Sequence, residues 1–167
     1  EALYLIGVIL YQKTVSNVAD QSEQALEALI AASKINGLNP DLWLRISTLW
    51  ERLGEIRKAK LAMLKAVELS PETKLYLRRY ADLLEKEMNQ TSQKYSAEIT
   101  ESLHQTLQHM LKLFPDDIWV HAHFGNVAWI QEKFELAEKH LRHALETKSS
   151  YPWANFRLGL VYLSQEK

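Results

Sequence analysis

The chain has 167 residues, 20 basic against 21 acidic, and no cysteine, with 47% of residues hydrophobic and 25% charged. That balance excludes a disordered or bilayer-embedded composition and provides material for one ordinary folded domain. Without cysteine there is no disulfide, no thiol nucleophile and no cysteine-ligated zinc site. Nucleic acid is disfavoured as a partner, because Arg52, Arg57, Lys58, Lys60 and Lys65 are interleaved with Glu51, Glu55 and Glu68 instead of forming a basic stripe.

The first element is the apolar run from Ala2 to Tyr11, read as a helix. It lacks the charged flank of a signal peptide and is far shorter than the roughly 20 residues of a membrane span. Because the chain opens without Met inside a helical pattern, the expectation is a piece of a longer protein. A stretch within Thr14 to Gln24 reads as a loop and a new helix cap. The next helix carries Ala25, Leu29 and Ala32 on one stripe and ends at Gly37.

Asn39-Pro40-Asp41 then reads as a helix start, with an Asn cap, Pro at the first helical position and an acid in the first turn. Trp43, Ile46, Ser47 and Trp50 follow on one face, so both tryptophans are assigned to the core. Gly54 suits the left-handed end of that helix, and a second helix with Ala59, Met63 and Ala66 runs to Ser70-Pro71. The third pair carries Ala81 in its first helix and Leu103, Leu107 and Met110 in its second. Between them, Glu85 to Ser102 contains no Gly or Pro and is expected to lengthen both helices, turning at Asn89-Gln90-Thr91-Ser92 with Thr91 or Ser92 as the cap. The fourth pair repeats the plan with Phe124, Gly125, Phe134, Ala137, Leu141 and Ala144, and a last helix begins near residue 152.

One small residue recurs at a single position in these units: Gly7, Ser47, Ala81, Gly125 and Gly159, separated by 40, 34, 44 and 34 residues. Two intervals are a 34-residue period and the others are that period plus insertions of 6 and 10. A fixed period of this length marks stacked helix–turn–helix repeats, in which the small residue lets the first and second helices (A and B) approach closely. All five small residues are therefore expected at an A–B contact.

This arrangement resembles the tetratricopeptide repeat family over essentially the whole chain. The second repeat supplies its pattern as Trp43, Ile46-Ser47, Trp50, Gly54, Ala59, Met63, Ala66 and Pro71. The resemblance implies an all-α, right-handed superhelical solenoid of antiparallel helix pairs. It would form one array with repeats at 1–39, 40–73, 74–117 with its insertion, and 118–151, then a fifth A helix over 152–167. In that family the A helices line a concave groove. By resemblance, Trp119, Asn126 and Trp129, then Trp153 and Phe156, face it, with Arg78 and Asp82 from the third repeat. Exposed aromatics there suit a binding hot spot. The Lys/Asn set with which chaperone-linked members grip a C-terminal carboxylate is missing.

No phosphate loop, nucleophile elbow or dinucleotide fingerprint is present. His140 and His143 have a metal-chelating spacing, but a solvated helix face explains them better. His121 and His123 are two apart and point different ways. The reading is a protein–protein interaction scaffold that binds a peptide or helical segment of a protein partner, with no enzyme activity, cofactor or metal and no membrane insertion. One alternative is the regulatory or substrate-positioning arm of a larger enzyme such as a glycosyltransferase, since ALYLIGVILYQ looks like repeats in such bacterial fusions. Another is self-association through terminal apolar faces carrying Leu158, Leu160 and Tyr162.

Overall fold

The computed structural model describes residues 2–16, 21–90 and 97–165, which contain nine helices and no strand. In order they are α1 (Ala2–Val15), α2 (Ser22–Ile35), α3 (Pro40–Arg52), α4 (Ile56–Leu69), α5 (Lys74–Gln90), α6 (Ala97–Leu113), α7 (Ile118–Ile130), α8 (Phe134–Thr147) and α9 (Pro152–Gln165). The fold is an all-α helical-repeat solenoid, and the A helices begin where the sequence punctuation places them. No helix among the described residues is long and apolar enough to cross a membrane.

The starts have local causes. Asn39 Oδ1 accepts from the Asp41 amide at 3.0 Å with Pro40 opening α3, and Asp117 Oδ1 accepts from the Val120 amide at 3.0 Å to open α7. The ends of these two helices share one motif. After α3, Gly54 takes φ +80°, its amide bonding Glu51 O at 3.0 Å while the Glu55 amide bonds Trp50 O at 2.9 Å. After α7 the same two bonds run from Glu132 to Trp129 O and from Lys133 to Ala128 O, both at 2.9 Å. Here Glu132 is held at φ 60°, a conformation that favours glycine.

The insertion near residue 90 lengthens its helices as expected, since α5 and α6 are 17 residues each against 13 or 14 elsewhere. The turn assigned to Asn89 and Gln90 is corrected: both continue α5, because nothing in that stretch breaks a helix. Thr91 and Ser92 lie outside the described residues, as does the centre of the first insertion.

Two compact units make up the chain, residues 1–90 and 91–167. In the first, Ala25, Leu29, Leu42, Ile46 and Leu49 form one buried cluster, and Ala59, Met63, Ala66, Tyr76 and Leu83 are among the residues of a second. Trp43 and Trp50 are half-buried and pack against both. Ion pairs tie its repeats together: Glu51 is held by Arg79 (2.6 Å) and Lys86, and Glu87 by Lys60 (2.6 Å) and Arg57 (3.4 Å). Burial pushes the Glu51 carboxyl up, but Lys86 and Arg79 outweigh it and hold it below the usual range. In the second unit, Ala122, Ala128, Ala137, Leu141, Ala144, Ala154 and Val161 form one buried cluster, and Leu103, Leu107 and Met110 of α6 are fully buried as well.

The small-residue position does what the period implies in three repeats. A Cβ on Gly7 would meet Leu29 Cδ2 at 2.6 Å, and one on Gly125 would meet Leu141 Cγ at 2.7 Å and Ala137 O at 3.1 Å. Ser47 sits fully buried and its hydroxyl donates to Ala59 O at 2.8 Å. Gly159 departs from the expectation. It is exposed and a Cβ there meets nothing within 4 Å, because no described helix covers that side of α9.

Three substitutions test these turns and contacts. Gly125→Leu should cost about 1–3 kcal/mol by overpacking against Leu141, whereas Gly159→Ala should gain about 0.5–1 kcal/mol by restricting the unfolded chain within a helix interior. Opposite shifts in denaturant midpoint check the pair. Glu132→Gly should stabilise by about 1 kcal/mol by relieving the left-handed backbone, read as a raised melting temperature.

Candidate functional site

The second unit is built around α7, a helix without an amphipathic face. Val120 through Ala128 are all buried, enclosed by α6, α8 and α9. Polar residues in that stretch are therefore forced into specific company. His121 faces α8 and His123 faces α9, which accords with their opposite directions in sequence.

On the α9 side, Trp119 stacks on His123 with ring centroids 4.0 Å apart, and His123 stacks on Trp153 at 4.6 Å. Trp119 and Trp153 are one 34-residue period apart, each the second residue of its helix. Four residues past Trp153, Arg157 places its guanidinium carbon 5.2 Å from the Trp153 ring centroid and 5.9 Å from those of Trp129 and Phe156. Trp129 is anchored at its far end, where Nε1 donates to Ser164 Oγ at 3.1 Å. A cleft of about 590 Å³ opens beside it, lined also by Thr100, Glu101, Glu132 and Phe134.

The sequence-derived site residues fall out as follows. Trp119, Trp129 and Trp153 are half-buried and Phe156 is 62% exposed, and all four belong to the aromatic group joined through His123 and Arg157. Asn126 lies on α7 between them but is only 3% exposed, and no donor among the described residues reaches its Oδ1. Arg78, exposed, and Asp82, half-buried, are on α5 in the first unit. His123 was missed as a member of the group. Its signal was the repeated four-residue step, Trp119 to His123 and Trp153 to Arg157, offset by the repeat period.

On the α8 side the solvated-face expectation for His140 is corrected. It is half-buried, its ring 4.6 Å from Phe124, and its Nδ1 lies 2.9 Å from His121 Nδ1. His121 Nε2 is 2.7 Å from Pro115 O, an acceptor only, so Nε2 carries the proton and Nδ1 accepts. His140 Nδ1–H is then the donor. His143 completes the group, its ring 4.0 Å from that of His121. No set of three or more His, Asp or Glu among the described residues is placed to hold a metal ion. Burial, then the facing His121, Lys139 and His143, lowers His140 to about 4, and burial lowers His121 as well.

The comparisons with known proteins agree on the fold. The tetratricopeptide repeat profile matches residues 40–73. No curated protein sequence matches the chain. Among solved structures, MamA residues 41 to end from Desulfovibrio magneticus RS-1 superposes with a TM-score of 0.80 at 14% identity, covering 99% of this chain and 87% of that one. A tetratricopeptide repeat protein from Parabacteroides merdae ATCC 43184 gives 0.81 at 17% identity over 99% of this chain and 61% of its own. YrrB, described as a TPR protein with an unusual peptide-binding site, gives 0.75 at 16% identity over 93% and 74%.

A pH prediction follows from the histidine contact. The unfolded chain takes up a proton at the ordinary histidine value near 6.5, whereas folded His140 refuses it until about 4. Stability from this site is therefore complete above about 6.5 and is lost as pH falls toward about 4. Melting temperatures measured across that window should fall more for the native chain than for His140→Gln, whose amide still donates to His121 but does not titrate.

Proposed function

As the chain is a tetratricopeptide repeat protein, we propose that it is a protein–protein interaction scaffold that holds a peptide or helical segment of its partner on the α7/α9 face. The observation that carries this is the aromatic group of Trp119, Trp153, Trp129 and Phe156, which keeps accessible area even though Trp129 and Trp153 also pack against the buried cluster of this unit. Large rigid aromatics immobilise little entropy on binding and dominate interface energetics. Asn126 supports the face from beneath, and Arg78 and Asp82 are proposed as a separate contribution from the first unit. YrrB, with its peptide-binding site, supports a similar use of the fold. The proposed role is binding, without catalysis.

A second reading, self-association, is favoured by one observation: Leu5, Ile6 and Ile9 on α1 are 58%, 49% and 52% exposed. A concentration series in light scattering separates it from the first, since a mass constant across the series removes it.

The scaffold reading is tested by truncation. Trp119→Ala and Trp129→Ala should each weaken partner binding by about 1–2 kcal/mol, measured by calorimetry with the partner recovered on the immobilised chain. Their melting temperatures should fall less than that of Trp50→Ala, whose ring packs on both buried clusters of the first unit. Unchanged affinity in both variants would sink the assignment of this face.

A further inference from the structure

The α7 and α9 helices carry almost no charge. Across Ile118–Ile130 there is no Asp, Glu, Lys or Arg, and across Pro152–Gln165 Arg157 is the only one. This arginine is not a solvated surface charge. Its guanidinium is held among the rings of Trp153, Trp129 and Phe156, and its Nε is enclosed without an acceptor. No carboxylate among the described residues pairs with it. In the first unit Arg79, Lys86, Lys60 and Arg57 meet glutamates, while Arg45 shares the state of Arg157, its guanidinium carbon 5.0 Å from the Tyr11 ring centroid and its Nε enclosed without an acceptor. In Arg157 only Nε is enclosed, so the two terminal nitrogens keep the fork that a carboxylate accepts in bidentate fashion.

A second group on this face has the same character. Asn126 lies seven residues after Trp119, on the same side of α7, and its Oδ1 is enclosed without a donor. Uncompensated polar groups against aromatic walls are costly to fold around.

We propose that the α7/α9 face selects an acidic peptide segment, with the side-chain carboxylate of an Asp or Glu received by Arg157 and the flanking apolar side chains laid on Trp119 and Trp153. The rings enclose the Nε edge of the guanidinium, so a carboxylate placed on its two terminal nitrogens gains more than it would at a fully exposed arginine. This rests on the scaffold reading and adds the chemistry of the partner to it. The absence of any competing carboxylate on either helix makes the selection one of charge as well as shape.

Three acetylated decapeptides of Gly and Leu with a third residue type test it: one with Asp and an amidated C-terminus, one with Asn in place of Asp and amidated, and the Asn form with a free C-terminal carboxylate. Each is titrated into the whole chain and followed by tryptophan fluorescence and calorimetry. The Asp peptide is expected to bind about tenfold more tightly than the amidated Asn peptide, the scale of one charge-assisted hydrogen-bond pair. Arg157→Met, which keeps the stem against the rings, should abolish that difference, and Arg157→Lys should retain part of it. Circular dichroism of both variants confirms the fold. If the free-carboxylate peptide matches the Asp peptide, the carboxylate assignment to Arg157 stands but its source is a chain terminus. Equal binding of all three, with Trp119→Ala weakening each, would overturn the acidic selection and leave the scaffold reading intact. No binding by any of them overturns the selection, while the partner-affinity measurement on Trp119→Ala decides the scaffold reading separately.

Discussion

The close approach of paired helices across one small residue governs most of what this chain does. At Gly125 the backbone of α7 comes so near α8 that an added Cβ would sit 2.7 Å from Leu141, and at Gly7 the same holds against Leu29. Close-packed interiors transmit such a distance into everything adjacent. The α7–α8 approach brings His140 within hydrogen-bond distance of His121, two residues separated by 19 positions. The same enclosure leaves α7 no solvent-facing stripe, so His123 and Asn126 become interior groups. Serine serves at the second repeat because its hydroxyl finds a backbone carbonyl on the opposing helix, turning a spacing requirement into a bond.

The two units handle polarity differently. In the first, acidic and basic side chains on neighbouring repeats meet across the A helices, as in Glu51 with Arg79 and Lys86, and Tyr76 donates to Asp41 at 2.7 Å. Burial and that hydrogen bond push the Tyr76 hydroxyl up to about 12, so it remains a donor under ordinary conditions. In the second, the equivalent surfaces of α7 and α9 are aromatic and nearly charge-free. Rings replace ion pairs as the contact between successive A helices, through Trp119, His123 and Trp153. The partly covered rings around Arg157 keep both accessible apolar area and a charge without a carboxylate partner among the described residues.

Helix starts, helix ends and the repeat period could be read from the residues because their causes are local. An Asn-Pro-Asp start, a left-handed Gly54 and a 34-residue recurrence act within a turn or two of the chain. The placement of aromatics on the A helices was also readable, since periodicity fixes which side of a helix a residue occupies. Glu132 shows the boundary of that approach. Nothing in its identity announces a left-handed conformation, which the packed α7–α8 turn imposes.

By itself, then, the sequence determined an all-α repeat protein, the order of its helices and the starts of its A helices. Tertiary structure alone decided which stripe is covered. Gly159 occupies the same repeat position as Gly125, yet one stands in open space and the other against Leu141. His140 shows the polar spacing of a solvated face but packs on Phe124 and His121. Asn126 was placed on the right helix, and only the surrounding helices settle that it is buried. The physical reason is common to all three. Periodicity is a property of one helix, whereas burial, protonation and the lack of a hydrogen-bond partner depend on which second and third helices arrive beside it.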